Sequence, residues 1–183
     1  MENISIAGSG KISGGEYAAV TISGSGRVTG NLRCTEMRCA GSAHTEGDVA
    51  CAGVVKCAGS FRCGGNMQAG ELHTSGSCSL GGDVRADVLK TAGSVSVSGR
   101  VQAGQLSGAG SFVADGDVEG DDVSLAGSIR IGGLLNAERL CIRLDGNSRV
   151  GSIGGGEIRV ERGREGGGFL GLFRKNGSGM LSV

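Results

Sequence analysis

SVSVSGRVQAGQL, residues Ser94 to Leu106, carries Val95, Val97, Val101, Ala103 and Leu106 on one parity within each short run. Alternation over three to five residues, broken by glycine, marks a strand with one buried side and not a helix. The same slots are filled by Phe112, Ala114, Val118 and Val123 further on, and then by Ile129, Ile131, Leu135, Ala137 and Leu140. Aligned on the preceding Gly-Ser pair, copies begin at Gly8, Gly24, Gly41, Gly59, Gly76, Gly93, Gly110 and Gly127, with steps of 16 to 18 residues and mostly 17. A ninth copy begins at Gly146, where Asn147-Ser148 replaces the Ser.

Composition agrees with a repeat. The 183 residues include 39 Gly, about three times the usual share, and no Pro. Such a glycine content without a period would indicate disorder, whereas with one it indicates stacked supersecondary units. Gly47-Asp48, Gly65-Asn66, Gly82-Asp83 and Gly116-Asp117 share one slot, a composition that corners with φ > 0 favour. Seventeen residues with about three corners make one coil of a triangular, single-stranded parallel β-helix. The expectation is therefore an all-β solenoid over residues 1–160, of about nine coils, followed by a Gly-rich linker and tail over 161–183. At roughly 4.8 Å per coil the rod would be on the order of 43 Å long.

GSGKISGG, Gly8 to Gly15, looks at first like a phosphate loop, but Ile12 stands where the metal-binding hydroxyl belongs. The same glycines return in coils without Lys, so the stretch reads as a corner of the first coil. No nucleotide or other cofactor is expected. Net charge is zero, with 18 basic and 18 acidic residues, which gives no electrostatic footprint for nucleic acid. The opening MENISIAGSG has no apolar run of signal-peptide length, and the sequence reads as cytoplasmic.

Seven cysteines invite a metal reading. Register argues against it. Cys34 and Cys51 share a slot with Ala69, Ala86, Ala103 and Ala137; Cys39 and Cys57 share one with Thr74, Thr91 and Leu125; Cys63 and Cys78 replace Val97 and Val95. These six are expected to point inward as small core residues, whereas Cys141, in the slot of Lys56, His73, Lys90 and Ser107, is expected to face solvent. DGDVEGDD, Asp115 to Asp122, begins like a calcium loop but has Ala126 where the bidentate Glu is needed, so it reads as a solvated corner. His44 and His73 fall in different slots, without an evident acid or nucleophile partner. No catalytic or metal-binding constellation emerges, and no enzymatic activity is expected.

After Val160 the repeat fails. FLGLFRK, Phe169 to Lys175, follows the linker ERGREGGG. Phe169, Leu170, Leu172 and Phe173 could enter a lipid interface while Arg174 and Lys175 meet anionic headgroups; the alternative is an apolar plug over the end of the rod. At the rims, Ile4, Ile6 and Ile12 open the repeat and Ile153, Ile158 and Val160 close it. They are the candidate polymer interface, because an uncapped coil offers unpaired backbone beside apolar side chains.

SLAGSIRIGGLLNAERL, Ser124 to Leu140, and VKCAGSFRCGGNMQAGE, Val55 to Glu71, are 17-residue Gly-rich coils that resemble those of the bactofilins, polymer-forming bacterial cytoskeletal proteins. The resemblance covers about residues 4 to 160. It implies a right-handed β-helix that assembles end to end into nonpolar filaments without nucleotide. It also implies a scaffold on the inner membrane for envelope or shape-determining proteins, and FLGLFRK resembles that family's short membrane-targeting peptides. The other expectation is a binding module that uses a flat side of the solenoid for a repetitive ligand, glycan or protein.

Overall fold

The computed structural model describes residues 1–145, 148–162 and 169–174. The chain is a parallel β-solenoid of about eight turns, without helix among the described residues. Its elements are β1 (Glu2–Cys39), β2 (Ser42–Thr45), β3 (Val49–Cys63), β4 (Met67–Leu80), β5 (Val84–Val97), β6 (Val101–Ala114), β7 (Val118–Leu144), β8 (Arg149–Arg162) and β9 (Phe169–Arg174). β1 to β8 join successive turns in parallel register; β9 runs antiparallel to β8. The ninth copy's Gly146-Asn147 lies outside the described residues.

One turn shows how sequence becomes shape. Val84, Ala86, Leu89, Thr91, Val95 and Val97 are buried, in three pairs separated by corners, so each turn has three flat sides. We call them side A (Ser94–Val97 in this turn), side B (Val84–Ala86) and side C (Leu89–Thr91). In the next turn Val101, Ala103, Leu106, Gly108, Phe112 and Ala114 occupy the same columns. No turn could bury these side chains alone; the stack does it by placing each on its equivalent above and below. Size varies within a column and its neighbours compensate: a Cβ on Gly108 would crowd Leu125 Cδ2 at 2.7 Å and Thr91 Oγ1 at 2.9 Å.

Two corners carry most of the local chemistry. At the corner between sides C and A, Gly93, Gly110 and Gly127 have φ of 125°, 118° and 119°, and a Cβ on each would collide with the carbonyl of the glycine one turn below. Glycine is required there twice, for its conformation and for its missing side chain. The Gly-Asp corner differs from the sequence expectation: Gly47, Gly65, Gly82 and Gly116 do not have positive φ, and Gly30 alone in that slot does. Their glycines serve space instead. A Cβ on Gly47, Gly65 or Gly82 would strike the Oδ1 of Asn31, Asp48 or Asn66 respectively.

Those side chains form a ladder. Asp48 N donates to Asn31 Oδ1 at 2.9 Å, Asn66 N to Asp48 Oδ1 at 2.7 Å, Asp83 N to Asn66 Oδ1 at 2.9 Å and Arg100 N to Asp83 Oδ1 at 2.8 Å. In the opposite direction Leu32 N donates to Asp48 O and Val49 N to Asn66 O, both at 2.8 Å. Each turn is thus tied to its neighbour through side chain and backbone together, and the column alternates Asn with Asp, which keeps like charges from stacking.

Gly93→Ala should lower stability by about 1–3 kcal/mol, because it forces an L side chain to positive φ. Gly15→Ala, whose new Cβ would meet Tyr17 ring atoms at an ordinary 3.6 Å, should change it little. Urea unfolding followed by circular dichroism distinguishes the two.

Candidate functional site

The ends and the sides of the rod offer different chemistry. At the N-terminal end Ile6 is buried, 7% exposed, while Ile4, Ile12 and Tyr17 are half-buried and pack against the core from the rim. Their spacing from Val20, Val28 and Cys34 puts Ile4 on side C, Ile12 on side A and Tyr17 on side B. Among the described residues nothing covers this edge. Tyr17 was absent from the sequence reading; its signal was the 17-residue step to Cys34. Its hydroxyl donates to Ser13 O at 3.1 Å, which leaves the ring edge on the rim.

At the other end Ile153, Ile158 and Val160 are half-buried on β8. Side C of this turn is covered: β9 pairs Phe173 with Ile158, Leu172 with Arg159 and Phe169 with Glu161. The backbone of Phe169, Leu170, Leu172, Phe173 and Arg174 therefore runs antiparallel along the β8 edge; Lys175 lies outside the described residues.

The cysteines sit as register required. Cys34, Cys39, Cys51, Cys57, Cys63 and Cys78 are buried and Cys141 is exposed. Cys34 pairs in register with Cys51 and Cys39 with Cys57. A hydrogen bond to Cys51, and then burial, raise the Cys34 thiol; a hydrogen bond to Cys39, and then burial, do the same for Cys57. Burial pushes Cys78 up to about 12. Among the described residues no group of three or more His, Cys, Asp or Glu could hold a metal ion. His73, which the sequence left without a partner, has its Nε2 2.9 Å from Glu71 Oε2, two residues back on the same strand.

The outer columns are polar and mostly paired. On side B, Arg85 Nη2 donates to Gln102 Oε1 at 2.7 Å and Gln102 Nε2 to Glu119 Oε2 at 3.0 Å. Arg139 pairs with Asp122 and Arg100 with Asp117. Such exposed pairs contribute little to stability. Among the described residues no helix is long and apolar enough to cross a membrane. Compared with protein-family models, with curated proteins and with solved structures, the chain matches none.

Replacing Cys34, Cys39, Cys51 and Cys57 together with Ala should leave a folded solenoid of lower unfolding midpoint, each lost sulfur costing about 1 kcal/mol. Ala suits these columns better than Thr, since the buried Thr74 hydroxyl in one of them finds no hydrogen-bond partner. Stoichiometric zinc in the purified protein, with unfolding on chelation, would contradict the packing role.

Proposed function

We propose that this protein is a structural polymer that associates end to end through the rims of its solenoid, a scaffold at the bacterial envelope as the bactofilin resemblance implies. The observation that carries the reading is the uncovered N-terminal turn. Among the described residues it presents a parallel strand edge on three sides, with Ile4, Ile12 and Tyr17 packed against the core from the rim. Free strand edges beside apolar surface recruit another chain unless something blocks them. A second copy is the partner whose turn has the matching length and column spacing. The chemistry of this contact is backbone pairing and apolar burial, so nucleotide has no part in it.

Ile4→Lys places a charge on that rim without entering the middle of the core. Filaments or long oligomers of the natural protein should fall to monomers or dimers, by light scattering and electron microscopy, while circular dichroism still reports β-structure. A natural protein that stays monomeric at high concentration would end the polymer reading.

The tail bears on both attachment and assembly. Deleting residues 169–175 should abolish sedimentation with anionic vesicles, since four apolar side chains and two cations give modest affinity that a polymer multiplies. The same deletion removes β9 from the β8 edge and should increase end-to-end association. Vesicle binding unchanged by the deletion would remove the membrane role from this segment.

The alternative of a side-binding module draws on a groove along side A, where the outward residues form continuous rows.

A further inference from the structure

Side A carries a groove that runs parallel to the rod axis from Ser9 to Ser111. One wall is a column of serines, one per turn: Ser25, Ser42, Ser60, Ser77, Ser94 and Ser111 stand in register, mostly exposed. The floor is small or buried, with Gly26, Ala43, Phe61, Cys78 and Val95. The facing wall is a second column whose character changes along its length. Along the groove it begins with Arg27, His44 and Arg62, preceded sixteen residues earlier by Lys11, and continues as Ser79, Ser96 and Val113, where the groove ends; beyond it the same column returns to Arg130 and Arg149.

Arg27 and Arg62 stand two turns apart with His44 between them, so like charges follow one another along one row and repel weakly. Elsewhere on the surface opposite charges share columns, as Asp122 and Arg139 do. Here relief is slight. Glu46 approaches Arg27 at 3.7 Å, with both side chains well exposed, and Arg62 has no ion-pair partner among the described residues. A column that carries Arg27 and Arg62 on either side of His44, beside a row of hydroxyl donors, is complementary to an anionic chain lying lengthwise in the groove.

The change along the wall selects the kind of chain. A uniformly charged polymer would set half of its anions against Ser79, Ser96 and Val113. A nucleic acid strand would also find no aromatic platform, since Phe61 is buried beneath the floor. A heteropolymer with acids at one end and small or apolar groups at the other matches the groove over its length from Ser9 to Ser111. We propose that this groove holds an extended segment of a partner protein, acidic over its half beside Lys11 to Arg62 and neutral beyond. Six turn spacings of about 4.8 Å accommodate about nine residues at roughly 3.3 Å each. The proposal rests on the scaffold reading for its purpose, as the means by which a client is held, but not on polymerisation.

The test uses labelled nonapeptides with four glutamates at one end and Ser-Val-Ser-Val-Ser at the other, in both orders, and fluorescence anisotropy on the natural protein and on its Ile4→Lys variant. Binding of at least one order, weakened by salt, is expected in both proteins. Arg27→Gln with Arg62→Gln should weaken it tenfold or more, and Lys90→Gln, on side C, should leave it unchanged. Three results would overturn the proposal: no binding by either order, equal binding by the double-arginine variant, or stronger competition by nonaglutamate, polyphosphate or phosphatidylglycerol vesicles than by the unlabelled mixed peptide. Binding by Ile4→Lys alongside a natural protein that never polymerises would uphold the groove and defeat the filament, so the two readings separate.

Discussion

Close approach of backbone to backbone at the Gly-Ser corner is the constraint on which the rod depends. A Cβ on Gly93 would collide with the Gly76 carbonyl oxygen, and the same holds from Gly24 to Gly127 at every step. A bulkier residue at any of these points would lift one turn from the next and break the backbone ladder on either side of the corner. Once that column is fixed, the remaining sixteen or so residues of each turn have little choice. Their hydrogen bonds must go up and down the stack, and every second side chain must point inward.

This division separates stability from recognition. Inward columns tolerate Val, Leu, Ala, Cys, Thr and Phe provided neighbours compensate in volume, as Leu125 does above Gly108. Outward columns make little difference to folding, because exposed ion pairs and single hydroxyls are weak. They are free to carry charge patterns that repeat or change along the axis. The ends obey a third rule, since among the described residues the ladder has no further turn to pair with there, except where β9 lies against β8.

The period and the orientation of nearly every inward residue were legible in the sequence, because a parallel stack turns spacing directly into contact. Cys34 and Cys51 could be read as neighbours from their common slot. Three things were not legible. Which glycines adopt positive φ depends on how the chain turns in space: both Gly-Asp and Gly-Ser slots are corners, and it is the Gly-Ser glycines that take positive φ along the stack. The Asn31 to Arg100 hydrogen-bond ladder needed the side-chain direction at that corner, which composition does not give. The antiparallel return of β9 is a pairing across a change of strand direction, and a repeat period carries no information about where a chain leaves the repeat. The serine and arginine rows of side A were present in the sequence as separate residues, but their meeting across one groove required the width of a flat side.

The Asn31–Asp48–Asn66–Asp83 column also limits how such a rod can change in length. Removing a single turn between Asn31 and Asp83 would bring two asparagines or two aspartates into contact, and in the second case two carboxylates would share one hydrogen-bonding site. Removing or adding two turns preserves the alternation. In this part of the rod the smallest electrostatically silent increment is therefore a pair of coils, about 9.6 Å, so the solenoid has a parity as well as a period.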